Sequence, residues 1–247
     1  MTKHMADKVA LVTGSSSGIG RGVALVFARE GAKVVVTGRS SGNGEETVSM
    51  IIKNGGEAIF IRADLLQSSQ VEELVNRTVD VYGRLDYACN NAGIAGARAP
   101  LVEFPEDQWD QVIDMDLKSV WLCMKYEIPR MLKQGKGAIV NISSAAGLKP
   151  NKGSTAYSSA KHGVIGLTKM AALEHAEQGI RVNTVCPGAV RTPFVDDLCK
   201  KHPEREEWYI STTPMRRMGT PLEIGEAVVW LCSDAASYIT GVALPVD

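Results

Sequence analysis

The stretch Val9-Ala-Leu-Val12-Thr13-Gly14-Ser15-Ser16-Ser17-Gly18-Ile19-Gly20 decides the fold. Four apolar residues of strand length run into a glycine-rich turn. The turn opens a helical pattern from Ile19 to Glu30 that Gly31 closes. In a doubly wound sheet such a turn lies at the carboxyl edge. There a helix N-terminus offers unpaired N–H groups and the positive end of its dipole to a phosphate. Gly14, Gly18 and Gly20 let the backbone approach that phosphate with no Cβ in the way. The spacing is G-x-x-x-G-x-G, unlike the G-x-G-x-x-G of other dinucleotide folds. A purely structural tight turn is the plain alternative. A chemical alternative is that Gly14-Ser-Ser-Ser-Gly18 reads as G-x-S-x-G, the nucleophile elbow of α/β-hydrolases, with Ser16 as nucleophile. That elbow normally follows several strands and an HGGG-type segment, and only a few residues precede the first strand here.

Working outward, apolar runs alternate with helical patterns. Strands are expected at Val34–Val36, Ala58–Ile61, Leu85–Cys89, Ala138–Ile142, Val182–Cys186 and Val242–Val246. Helices are expected at 45–54, 71–82, 109–132 (kinked near Pro129), 156–177 and 222–231. Continuous β-branched runs between helices predict an α/β fold: a doubly wound parallel seven-stranded sheet in a single domain spanning 1–247. Residues 188–220 carry three prolines and weak periodicity. They are read as an excursion over the ligand site, not a second domain.

Composition narrows the function classes. Apolar residues make up 45 %, or about 52 % with glycine counted in place of tyrosine, enough for a buried core. Lys and Arg number 27 against 28 Asp and Glu, so neither nucleic acid nor an anionic membrane is an expected partner. Five cysteines without a C-x-x-C pair describe a reduced, cytoplasmic chain, and four scattered histidines suggest no metal site. No apolar run approaches the roughly 18 residues of a membrane span. The polar start MTKHMADK lacks a signal-peptide core.

Two further motifs carry chemistry. At the end of the second strand stand Gly38-Arg39-Ser40, where an NAD site would place a carboxylate for the ribose 2′-hydroxyl. A guanidinium there clamps a 2′-phosphate, which favours NADP(H); a solvated loop arginine is the alternative. The other motif is Tyr157-Ser-Ser-Ala-Lys161, with Ser144 thirteen residues upstream. Tyr and Lys at i, i+4 share a helix face, and an ammonium favours the phenolate of a group that ordinarily titrates near 10. Alone, Y-x-x-x-K is a weak signal, but it is the only such match here.

Together with Asn90-Asn-Ala-Gly93 and Cys186-Pro-Gly-Ala-Val-Arg-Thr192, these motifs resemble the short-chain dehydrogenase/reductase family, from about Lys8 to Asp247. The likeness is to its carbonyl and 3-oxoacyl reductase branch. It implies an NADP-dependent oxidoreductase moving a hydride between cofactor and a ketone, 3-oxo ester or secondary alcohol. Tyr157 would be the general acid/base, Ser144 would hydrogen-bond the reacting oxygen, and Lys161 would bind the nicotinamide ribose. Gly14, Ser16, Ser17, Gly18, Ile19 and Gly20 would hold the pyrophosphate, with Arg39 and Ser40 at the 2′-position. Asp64 and Leu65 would meet the adenine, and Asn91, Ala92 and Gly93 would line the adenosine side. Pro187, Gly188, Val190 and Thr192 would cradle the nicotinamide. The resemblance also implies a homotetramer, with helices 109–132 and 156–177 pairing across subunits. The competing class is a catalytically silent NADP-binding regulator on the same fold.

One position departs from the family: Asp116 stands where an Asn usually holds a water that relays protons to the lysine. Across about 6 Å at an effective dielectric near 20, an Asp116–Lys161 pair is worth about 3 kcal/mol before screening. That would offset much of the lysine's pull on Tyr157 and make activity more alkaline than in Asp116→Asn. Alternatively, Asp116 points away or is protonated.

Overall fold

The computed structural model describes residues 4–247. Its strands are β1 (Val9–Val12), β2 (Lys33–Gly38), β3 (Glu57–Arg62), β4 (Tyr87–Asn90), β5 (Gly137–Ile142), β6 (Ile180–Pro187) and β7 (Ala243–Val246). All pair in parallel in the order β3-β2-β1-β4-β5-β6-β7. The α/β expectation holds, and its physical basis is visible in β1 and β5, whose every residue is buried. Parallel strands covered on both faces need apolar side chains on both.

The helices are α1 (Gly18–Arg29), α2 (Ser41–Lys53), α3 (Ser68–Tyr82), α4 (Glu106–Ile113), α5 (Ser119–Gln134), α6 (Thr155–His175), α7 (Pro193–Lys201), α8 (Pro203–Thr212) and α9 (Pro221–Cys232). Val34 and Val36 pack on one sheet face with residues of α1, α2 and α9, while Leu11, Val35 and Ile139 pack on the other with α3, α5 and α6. The chain reverses direction across the sheet between β1 and β4. In such folds the crevice outside the carboxyl ends at this reversal receives the ligand.

Two expectations need correction. The long helix is interrupted at Asp114–Lys118, a π-helical turn between α4 and α5, and not at Pro129. Pro129 sits on the exposed side of α5, and the carbonyl it leaves unpaired, on exposed Lys125, faces solvent. The irregular turn instead carries Asp116 into the interior, as π-bulges often do at functional sites. The excursion, in turn, is more regular than its periodicity indicated. It holds α7 and α8, each started by a proline at its first turn. Parallel pairing of Val190 with Gly219 brings its two feet together. Among the described residues no helix is long and apolar enough to cross a membrane.

A buried polar chain lies just behind the reversal. Asn90 Nδ2 donates to Glu127 Oε2 (3.1 Å) and Asn141 Oδ1 (3.0 Å), and Asn141 Nδ2 donates to Thr168 Oγ1 (2.9 Å). Glu127 is fully buried; that burial, against the Asn90 hydrogen bond, pushes its carboxyl up from 4.5 to about 7. A carboxyl raised on folding gives stability that is complete below its unfolded value and lost as pH rises through its folded one. Between pH 4.5 and 7 this group therefore removes about 3 kcal/mol of stability. Glu127→Gln should flatten the unfolding free energy over that interval in denaturant titrations. Parallel slopes for the two proteins would contradict the assignment.

Candidate active site

The glycine turn is held by its neighbours as much as by its own residues. Thr13 Oγ1 accepts the backbone N–H of Asn91 (2.9 Å) and of Ala92 (3.1 Å), while Asn91 Nδ2 donates to Thr13 O (3.0 Å) and Gly14 O (3.3 Å). Ser15 turns inward, donating from Oγ to Val12 O (2.6 Å) and accepting from Thr37 N (3.0 Å). It ties β1 to β2 and leaves Ser16 and Ser17 to face the crevice. Gly14 and Gly18 have φ of +62° and +54°, and a Cβ on Gly20 would lie 2.4 Å from Gly14 O. Side chains at these three positions would strain or fill the turn.

A cleft of about 410 Å³ opens above it. The structure brings most of the expected cofactor residues to this cleft: Gly14, Ser16, Ser17, Gly18 and Ile19 from the turn, Arg39 after β2, Asp64 and Leu65 after β3, Asn91, Ala92 and Gly93 after β4, and Thr192 from across the opening. Thr192 caps α7 by accepting from Val195 N (3.3 Å), and a Cβ on Gly18 would touch its methyl at 3.4 Å. Gly20, Ser40, Tyr157, Lys161, Pro187, Gly188 and Val190 do not line the cleft. Gly20 packs beneath the turn, and Gly188 packs against Asp247, where a Cβ would meet Asp247 Cβ at 2.6 Å. Ile94, Met115, Pro193 and Phe194 line it without having been expected. Ile94 lies in a loop, Met115 in the π-helical turn, and Pro193 and Phe194 in the exposed first turn of α7, so no apolar period marks them.

The second cluster lies around α6. The Lys161 ammonium is 5.5 Å from the centre of the Tyr157 ring, donates to Ile142 O (3.2 Å) and meets Asp116 Oδ2 at 3.1 Å. Asp116 Oδ1 accepts the N–H of Ile94 (2.8 Å). Both partners of the ion pair are buried. Asp116 therefore does not point away, and the pair is in direct contact, not separated by about 6 Å. Burial on its own lowers the lysine's pKa, but attraction from Asp116 and Tyr157 outweighs it and holds the ammonium above its ordinary value. Ser144 ends β5 at the turn 145–147, which is packed so closely on α6 that a Cβ on Gly147 would meet Lys161 O at 2.8 Å. Its Oγ accepts the N–H of Ala146 (3.1 Å), so its own hydrogen is free to donate. Tyr157 packs against the small buried cluster of Val112, Ala156 and Ala160, as do Ile94, Phe104, Ile113 and Leu117. This arrangement provides a phenol, a hydroxyl donor and a fixed cation; it adjoins the cleft through Gly93, where a Cβ would lie 3.3 Å from Lys161 Nζ, and no grouping of metal ligands occurs among the described residues.

The family described as Enoyl-(Acyl carrier protein) reductase matches residues 14–247. The chain belongs to the short-chain dehydrogenase/reductase family. It is 39 % identical to cyclohexanol dehydrogenase of Acinetobacter sp. (strain SE19), covering 100 % of this chain and 96 % of the relative. It is 40 % identical to 3-oxoacyl-[acyl-carrier-protein] reductase of Thermotoga maritima, covering 99 % and 98 %. The crystal structure of levodione reductase superposes with a TM-score of 0.94 at 36 % identity, over 98 % of this chain and 97 % of that one. This short-chain dehydrogenase/reductase is accordingly an oxidoreductase, and the nucleophile-elbow reading of Ser16 falls away.

The direct Asp116–Lys161 contact has a measurable consequence. In Asp116→Asn the lysine's charge is no longer matched, so it favours the phenolate more strongly, and the buried lysine itself gives up its proton more readily. Both effects move the pH–activity profile of Asp116→Asn to lower pH than that of the parent. Superimposable profiles would refute the ion pair's influence.

Proposed function

We propose that this oxidoreductase transfers a hydride between NADP(H) and a ketone or 3-oxo ester, with the corresponding secondary alcohol as the other partner. The reading rests chiefly on the Lys161 ammonium held beside Tyr157 and packed behind Gly93, a residue that lines the glycine-turn cleft. Relatives named as a cyclohexanol dehydrogenase and a 3-oxoacyl reductase support carbonyl–alcohol chemistry. The glycine turn fits a pyrophosphate, since side chains at 14, 18 and 20 would fill it. Gly38 followed by Arg39 at the end of β2 supports the phosphorylated cofactor: no carboxylate stands at that strand end, and the guanidinium attracts a 2′-phosphate.

When bound, the nicotinamide supplies or accepts the hydride. The chain's residues do the rest. Ser144 donates its free hydroxyl hydrogen to the substrate oxygen and fixes the carbonyl's orientation. Tyr157 delivers its phenolic proton to that oxygen as negative charge develops, and removes the alcohol proton in the reverse direction. Lys161 stabilises the phenolate between these events. With Ile142 O and Asp116 occupying two of its three donors, it has one N–H left for a ribose hydroxyl.

The same reading includes a homotetramer. Between the α4–α5 helix and α6 runs an apolar groove lined by Ile113, Leu117, Trp121, Gly163, Leu167 and Met170, with Trp121 46 % and Met170 53 % exposed. Single-copy exposure of such a strip suits burial against a second copy. In Trp121→Glu the sedimenting species should fall to dimer or monomer; an unchanged size would exclude this face.

Activity is tested by loss of NADPH absorbance with cyclic ketones and 3-oxo esters, repeated with NADH. Turnover is expected with NADPH, and Tyr157→Phe should lower kcat by at least 100-fold, within the range of general acid–base contributions. Full turnover by the phenylalanine variant would overturn the mechanism.

A further inference from the structure

Arg21, the residue after the glycine turn, ties that turn to α2, the helix that follows the cleft-lining Gly38 and Arg39. Its Nη2 donates to Ser16 O in the turn (2.7 Å). It also reaches α2, donating to Glu46 Oε2 (2.7 Å) and Asn43 O (3.3 Å), while Nε donates to Thr47 Oγ1 (3.0 Å). Thr47 is fully buried and passes the connection on, its Oγ1 donating to Asn43 O (3.2 Å). The Arg21 side chain is 23 % exposed and that of Glu46 58 %. The Ser16 hydroxyl lies 3.1 Å from where a Cβ on Gly38 would stand, so Ser16 and Gly38 face each other across the adenosine end of the cleft. Arg39 and Ser40 continue from Gly38 into the start of α2.

These contacts give Arg21 two roles. It holds the Ser16 turn and α2 at one separation, and it neutralises Glu46 on the helix into which Arg39 and Ser40 lead. We infer that Arg21 is the positioning residue of the 2′-phosphate pocket, and that the Arg21–Glu46 pair sets the local charge there and hence the preference for a 2′-phosphorylated nucleotide. The inference rests on the NADP reading above and adds two residues to it. Arg21 does not touch the phosphate. It fixes the groups that do and removes a repulsive charge from their surroundings.

The two partners predict opposite signs, which a merely structural bond does not. In Arg21→Met, Glu46 is left unmatched and the turn and α2 are untied, so discrimination falls. In Glu46→Gln the guanidinium keeps its bonds to Ser16 O, Asn43 O and Thr47, and its charge adds to that of Arg39, so discrimination rises. The measurement is calorimetric binding of 2′,5′-ADP and of 5′-AMP to the full-length protein without cofactor or substrate. Wild type is expected to favour 2′,5′-ADP. Arg21→Met should lower that ratio roughly threefold or more, and Glu46→Gln should raise it roughly twofold to threefold, the rise shrinking as salt is added. If wild type shows no preference between the two nucleotides, the NADP reading fails and takes this inference with it. If wild type prefers 2′,5′-ADP but both variants shift the ratio the same way, or neither shifts it, the inference alone is overturned. Glu46 is exposed, and its replacement is not expected to disturb folding. Should Arg21→Met not fold, an unchanged or lowered ratio in Glu46→Gln is sufficient to overturn the inference.

Discussion

The hydrogen bonds that join the ends of β1 and β4 are the constraint on which the site depends. Thr13 and Asn91 exchange side-chain and backbone bonds across the point where the sheet changes direction, and the Asn91 amide also holds the Gly14 carbonyl. Without that stitch, the turn before α1 would have no fixed distance from the Asn91–Gly93 loop, and the crevice between them would have no defined width. Behind it, Asn90 anchors the same strand end to Glu127 and Asn141, so the loop grows from a buried, hydrogen-bonded base. Two loops that are individually short thus act as one rigid edge.

A second organising feature is the direct contact of a buried carboxylate with the lysine of the Tyr157 cluster. Removing two charges from water is costly, and the attraction between Asp116 and Lys161 repays that cost only because further bonds, from Ile94 N–H and to Ile142 O, satisfy each partner. The π-helical turn makes this possible. One extra residue within the helical path rotates Asp116 off the regular face and aims it under α6. Geometry and electrostatics at Tyr157 therefore trace back to an irregularity in an element some forty residues earlier in the chain.

Much of this was legible in the sequence. The strands are buried on both faces, so their apolar runs stand out without a period, and the glycine turn declares itself by position. Tyr157 and Lys161 were readable from helix spacing and Ser144 from its place after a strand. What escaped had no such signal. Helix periodicity over 109–132 does not register a single inserted residue, so the π turn was missed and the disturbance was placed at Pro129. Helices α7 and α8 are short and expose most of their surface, leaving too weak an apolar stripe to detect. Arg21 looks in sequence like any charged residue on a helix, and only the fold reveals that α2 lies within its reach.

The excursion between Ala189 and Thr220 leaves and rejoins the body at nearly the same spot. Gly219 N donates to Ala189 O, and Arg191 N donates to Gly219 O. With both feet fastened together, whatever lies between them can be rewritten without transmitting strain to β6 or α9. Closing such a segment costs little more when it lengthens, because the entropy grows only with the logarithm of its length. The architecture thereby separates a part that must not change from one that is free to diversify: residues 193–218 can vary while the sheet and the glycine turn stay intact.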